Sequence, residues 1–364
     1  MKLISYKIGT VTNILKRDES TTWLEVEIKN NISRAINYND ITGEIQIGDK
    51  VVLNTTAVEL SLGTGGYHYV IYNYSNPSKD IEGKGHIMKL RYTPLQFKCL
   101  AIEEEDSPYH HVFNNFNDLE DNVFIVGTLH SMLAPISSML KWLNPSLKIN
   151  YIMTDAGALP IQFSNTVKKL KEKEIIDNTI TVGNAFGGDI ECVNIYSGLI
   201  AAKEALKSDV TIITMGPGIV GTGTKYGFSG IEQGYIVDGI NNLGGTAFIV
   251  PRISFKDKRE RHMGISHHSL TVLSQICNTG GKLVIPYLED SKNKIIEDQL
   301  LNNKISKKYE INYEYGEDID KALSYFDLNV TTMGRGIEED REYFMTLGAV
   351  GKAVYKYLED KEEI

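Results

Sequence analysis

Cysteine is scarce in this sequence. The three residues Cys99, Cys192 and Cys277 are far apart in 364 and form no CxxC pair. That excludes a disulfide framework and a cysteine-based zinc site, and it fits a reducing compartment. Long apolar runs are also missing: no stretch approaches the roughly 20 residues needed to cross a bilayer. The N-terminal MKLISYKIGTVTNILKRDES shows no apolar segment ahead of a cleavage site, so a cytoplasmic location is expected. Positive charge is in deficit, with 38 Lys and Arg against 47 Asp and Glu and a formal net charge of -9. Broad attachment to nucleic acid or anionic lipid needs a net basic face, so neither is an expected partner. There is no GxSxG nucleophile elbow, no repeat of fixed period and no low-complexity tract. The remainder, 42% hydrophobic and 23% charged, is an ordinary globular composition at a length that favours two domains of unequal size.

Residues 1–85 read as all-β. Leu24, Val26 and Ile28 alternate with Glu25 and Glu27, the period of a half-buried strand, and residues 50–60 and 67–74 behave alike. Turn signals separate them, among them Leu62-Gly63-Thr64-Gly65-Gly66. A small N-terminal antiparallel β-barrel is expected, since closure removes exposed strand edges. A punctuated link follows over residues 76–85. In residues 96–364 short apolar runs alternate with amphipathic segments, which predicts an α/β fold: a large, doubly wound, mostly parallel sheet with helices on both faces, forming the ligand-binding or catalytic domain. A helix over 191–206, carrying a buried Cys192, is among its predicted elements.

Ligands of such sheets bind beyond the carboxyl ends of the strands, and the glycine-rich and polar residues fall at those junctions. The densest is the loop after the strand near Met215, where Gly216, Gly218, Gly221, Thr222, Gly223 and Thr224 combine bare backbone with hydroxyls suited to an anion. Arg252 and Arg335 are the basic residues expected to join it. Gly216-x-Gly218-x-x-Gly221 also matches the dinucleotide fingerprint, but the loop is long, and Arg252 stands where an acidic ribose partner belongs. NAD(P) is therefore the lesser cofactor candidate beside a divalent metal. Structural glycines and helix caps account for any one of these junctions equally well.

His130, Asp155, Asp189, Glu191, His262, His267 and His268 form a second constellation. Asp155, Asp189 and His267 are the expected catalytic residues, transferring protons. His130, Asp155, Asp189 and His268 are the expected ligands if a metal is held. Asp155 and Asp189 have capping as their simple alternative. Lys256, Lys258, Arg259 and Arg261 make a basic run around Asp257 and Glu260, read as a solvated segment whose placement also suits a lid.

GHIMKLRYTPLQ (85–96), NAFGGD (184–189), MGPGIVGTGT (215–224), GFSGIEQG (227–234) and GISHHSL (264–270), with LNTTAVELSLGTGGYH in the barrel, resemble an uncharacterised bacterial family described as domain of unknown function 3866. The resemblance extends over nearly the whole chain. It implies that barrel and sheet form one conserved unit and that the source is bacterial. It supplies no activity, so no residue role is carried over. The residues themselves point to an enzyme of small-molecule metabolism, a hydrolase or transferase acting on a phosphate- or carboxylate-bearing substrate. The alternatives are a nicotinamide-dependent oxidoreductase and a non-catalytic metabolite sensor. Self-association into a homo-oligomer stays open.

Overall fold

A computed structural model describes residues 3–63, 65–155, 157 and 159–362. Thr64 of the expected 62–66 turn, Ala156 beside Asp155 and the last two residues of the expected second domain lie outside the described residues. The chain divides into two compact units, Met1–Cys99 and Leu100–Ile364.

In the first unit β1 (Tyr6–Arg17), β2 (Thr21–Ile28), β3 (Asn31–Tyr38), β4 (Lys50–Asn54) and β5 (Tyr67–Asn73) close a barrel in the order β1-β2-β3-β5-β4. All its contacts are antiparallel except the parallel pair β3 and β5. The alternation in β2 works as expected: Leu24, Val26 and Ile28 are buried against Val11, Ala35, Val51, Leu53 and Val70. Strand β1 pairs with β4 through residues 6–10 and with β2 through 10–17. Register shifts after Val11 and Ile14 supply the bend that serving two neighbours requires. A short hairpin, β6 (Ile87–Lys89) and β7 (Phe97–Cys99), completes this unit.

The second unit is an eight-stranded sheet. Its strands are β8 (Val123–Val126), β9 (Ile149–Thr154), β10 (Asn178–Val182), β11 (Ile190–Cys192), β12 (Val210–Met215), β13 (Thr246–Ile249), β16 (Gly281–Pro286) and β17 (Tyr309–Glu314). They lie in the order β11-β10-β9-β12-β8-β13-β16-β17, and every neighbouring pair is parallel. A two-stranded pair, β14 (Ile253–Ser254) with β15 (Gly264–Ile265), stands beside it. The central strands are apolar on both faces, as a sheet covered twice requires. Val123 and Ile125 face a core shared with helices Leu133–Leu143 and Arg341–Glu362. Phe124 and Val126 face the other core, shared with helices Glu232–Asn242 and Asp290–Asn302. The predicted helix over 191–206 is corrected: Glu191 and Cys192 belong to β11, and the helix begins at Ile195 behind an Asn194 capping box. No helix among the described residues is long and apolar enough to cross a membrane.

From β9 the chain goes on to β10 on one side, and from the adjacent β12 it goes to β13 on the other. The connections therefore diverge at the carboxyl edge, the geometry that opens a crevice in doubly wound sheets.

Candidate active site

Three consecutive carboxyl-edge connections enclose a cavity of about 190 Å³ at that edge. Thr128 and Leu129 follow β8; Ile219, Gly221, Phe228 and Gly230 follow β12; Arg252, Arg259, Arg261, His262, Ser266 and His268 follow β13. The wall is thus largely apolar where β8 and β12 lead into it and cationic where β13 does. Arg252 is only 8% exposed. Burial weighs against its charge, and the nearby Tyr343, Asp340 and Asp257 offset that cost.

The basic segment is not a freely solvated run. Strands β14 and β15 pair Ile253 with Ile265 and Ser254 with Gly264, so both feet of the 255–263 excursion are fastened together. Gln299 clamps the outgoing foot, accepting from the Ile265 N–H at 2.8 Å and donating to the Met263 carbonyl at 2.9 Å. Inside the excursion Asp257 receives Arg259 in a two-point fork, Nε to Oδ1 at 2.9 Å and Nη2 to Oδ2 at 2.7 Å. The Arg259 guanidinium holds the Asp257 carboxyl far below the usual carboxylate range. Beyond β15, Ser266 caps the helix His267–Thr271 by accepting from the Ser269 N–H, which places two histidines in its first turn.

His262, His267 and His268 pack together, with ring centroids 4.0 to 5.3 Å apart. His268 also stacks on Phe228 at 4.1 Å with the planes 15° apart. Burial first, and then Arg259 and Arg252, push His262 down to about 4. Burial, His267 and Arg252 do the same to His268, and burial with Arg261 lowers His267. The His262 and His268 rings are therefore neutral at pH 7, and His267 is shifted in the same direction. The Nδ1 of His262 and the Nε2 atoms of His267 and His268 are buried without a hydrogen-bond partner. Each such orphan costs about 1–3 kcal/mol.

The structure scatters the other predicted residues. His130 spends both ring nitrogens on the protein, Nδ1 with the Tyr151 hydroxyl at 3.2 Å and Nε2 with the Ser164 hydroxyl at 2.7 Å, and burial lowers it to about 4. Asp155 follows β9 at the carboxyl edge, where one oxygen accepts the Asn184 N–H at 3.1 Å. Gly183 permits this approach, since at φ +65° a Cβ would stand 2.3 Å from that carboxylate. Among the described residues Asp155 caps no helix; Ser164 caps the helix Asn165–Glu172. Asp189 is at the opposite edge, just before β11, accepting from the Thr179 N–H at 2.8 Å and from Lys171 at 2.9 Å. Burial opposes its charge, but Lys171 and Thr179 hold its pKa below the ordinary value. The expected set His130, Asp155, Asp189 and His268 is therefore not brought together, because the chain turns back between β10 and β11 before reaching Asp189. Glu191, half-buried on β11, accepts from the Thr181 hydroxyl at 2.7 Å.

The glycine loop folds on itself. The Thr222 N–H donates to the Gly227 carbonyl at 2.8 Å, and the hydroxyls of Thr222 and Thr224 pair at 2.8 Å. Gly221 and Gly223 reach the cavity wall; Gly216, Gly218, Thr222 and Thr224 are not among its lining. Arg335 gives Nε and Nη2 to the fully buried Asp340 at 3.0 and 2.8 Å. Asp340 also accepts from the Ser254 hydroxyl at 2.7 Å, so Arg335 braces β14.

One functional group escaped the sequence reading. Glu232, 8% exposed, opens the helix after the glycine loop and takes a hydrogen bond from the Thr154 hydroxyl at the end of β9. Burial, with the charge of Asp155 added, pushes its carboxyl up to about 7. An acid poised near neutrality at a switch point is suited to proton transfer. Its signal was a lone carboxylate inside GFSGIEQG, among small and apolar residues.

A family model described as "Protein of unknown function (DUF3866)" matches residues 34–351. The chain belongs to this family. The DUF3866 match takes in β4, β5 and the whole eight-stranded sheet, including every residue of the cavity wall. No curated protein and no solved structure matches this DUF3866 chain.

Proposed function

We propose that the α/β unit is an enzyme of small-molecule metabolism that hydrolyses, or transfers a group on, a substrate bearing phosphate or carboxylate. The observation that carries this reading is the cavity wall: Arg252, Arg259 and Arg261 line the same space as Leu129, Ile219 and Phe228. Guanidinium forks suit planar or tetrahedral oxyanions, and the apolar wall suits the body of the substrate. Neutral histidines in the same wall present ring nitrogens with lone pairs to it. Glu232 supplies a second titrating group at the neighbouring junction. Of the fingerprint glycines Gly216, Gly218 and Gly221 only Gly221 lines the cavity, and the nicotinamide reading gains no support. The scarcity of cysteine favours a reducing, cytoplasmic setting.

The test is the melting temperature of the full chain with inorganic phosphate, pyrophosphate, nucleoside monophosphates and dicarboxylates, followed by product analysis of whatever binds. A ligand at about 100 times its Kd adds about 2.7 kcal/mol, or about 5–10 °C for a unit of this size. No shift with any anion refutes the proposal. A ligand that stabilises the protein and is recovered chemically unchanged identifies a binding protein instead.

A further inference from the structure

Among the described residues His262, His267 and His268 form one cluster of possible metal donors. Each offers a ring nitrogen, and these nitrogens lie within 4.8 Å of one another. On each of the three rings one nitrogen is buried without a hydrogen-bond partner, and His262 is 4% exposed. Filling this volume would call for apolar side chains, which leave no donor or acceptor unmet. Three neighbouring imidazoles, each with a buried nitrogen that the protein leaves unpartnered, are the donor chemistry of a coordination site.

We propose that His262, His267 and His268 hold a divalent cation of the zinc class, with three imidazole ligands and an open position toward the anion cavity. Three protein nitrogens and a vacant fourth place form the donor set of a catalytic rather than a structural zinc. The rings come from rigid supports. His267 and His268 belong to a capped helical turn, His268 is pressed against Phe228, and His262 closes the turn Glu260–His262 between the paired strands β14 and β15. Bonds of about 2.0–2.1 Å require nitrogens about 3.4 Å apart, so side-chain rotation draws the three inward on binding. His262 and His268 line the 190 Å³ cavity, while His267 lines a neighbouring one of about 390 Å³ that shares Arg261 and Gly223 with it. The ion belongs to the wall between them.

Arg252, Arg259 and Arg261 act on the same rings, and their field opposes a cation. Asp257, itself engaged by Arg259, is the carboxylate that counters them at His262. An anion in the cavity supplies the remaining negative charge, so cation and anion bind cooperatively. The ion's role, lowering the pKa of a water beside the anion, rests on the enzymatic reading; its binding does not.

Full-length protein stripped by chelator is titrated with zinc and, in parallel, with cobalt(II) as a spectroscopic probe, each with and without inorganic phosphate. The expected result is one equivalent of zinc, intense visible bands from low-coordinate cobalt, and affinity raised about tenfold or more by phosphate. H262A and H267A, and H268F, which keeps an aromatic ring on Phe228, each lower zinc affinity about 100-fold or more, since changing even supporting residues costs 10–100-fold. H110A leaves it unchanged. Circular dichroism checks that each variant is folded. Substoichiometric zinc, an octahedral aqua-type cobalt spectrum, or full affinity in folded H268F overturns the site. Zinc held by the histidines but indifferent to phosphate upholds the site and overturns the anion pocket. Stabilisation by phosphate without zinc binding does the reverse.

Discussion

Replacing Glu232 by glutamine makes the energetics of the crevice measurable. The carboxyl is 8% exposed and is raised from its ordinary 4.5 to about 7 by burial and by Asp155. A raised folded-state pKa means the folded chain holds its proton where the unfolded chain has released it. The associated stability is fully present below pH 4.5 and is lost as pH rises through about 7. At about 1.4 kcal/mol per pH unit, the loss is about 3 kcal/mol by pH 8. Glutamine keeps the shape and accepts the Thr154 hydrogen bond but never ionises, so it escapes this loss. E232Q should match the wild type near pH 4.5 and melt about 6–12 °C higher at pH 8, at about 2–4 °C per kcal/mol. Paired thermal scans of the two proteins at pH 4.5, 6, 7 and 8 measure the difference, in which every other titrating group cancels. A difference that stays flat across this range would falsify the assignment of a neutral, buried Glu232.

Removing the buried Arg252 guanidinium by R252A should abolish most of the melting shift caused by inorganic phosphate, since one charge-assisted contact contributes about 1.5–3 kcal/mol; an undiminished shift places the anion elsewhere. Helix Arg341–Glu362 lies so close to Gly316 that a Cβ there would stand 1.8 Å from the Met345 carbonyl. G316A should therefore lower stability by about 1–3 kcal/mol or more, read by urea unfolding, whereas G336A, with nothing nearer than 3.9 Å, should be nearly silent. D340A strips the partner of Arg335 and Ser254 from a fully buried position and should cost about 3–5 kcal/mol, while the double variant D340A/R335M should recover part of that loss.

The architecture was legible because burial writes itself into sequence at two periods. The alternation in β2 marks a barrel wall, and apolar runs such as VFIV and VTIITM mark strands covered on both faces. Strand β11 was not legible. Three residues are too few to show a period, so Glu191 and Cys192 merged with the helix that follows β11. That merger carried Asp189 to the wrong edge of the sheet. The glycine loop misled differently, since composition shows which residues could hold an anion but not that Thr222 and Thr224 are already bonded to each other. The basic segment read as solvated because its anchors are remote in sequence: Gln299 reaches back to Met263 and Ile265, and Asp340 reaches Ser254. His262 was visible as a residue, but its neighbours became visible only once β14 met β15.

That clasp of β14 on β15 has an evolutionary consequence. Arg252, His267 and His268 sit outside its two feet, on framework the sheet dictates, whereas Asp257, Arg259, Arg261 and His262 ride on the enclosed span. Insertions or exchanges within the span leave strand pairing untouched, because the ends remain neighbours whatever runs between them. Relatives can thus diverge in the molecules they accept by remodelling a single cassette, and a chimera carrying another member's span should still fold.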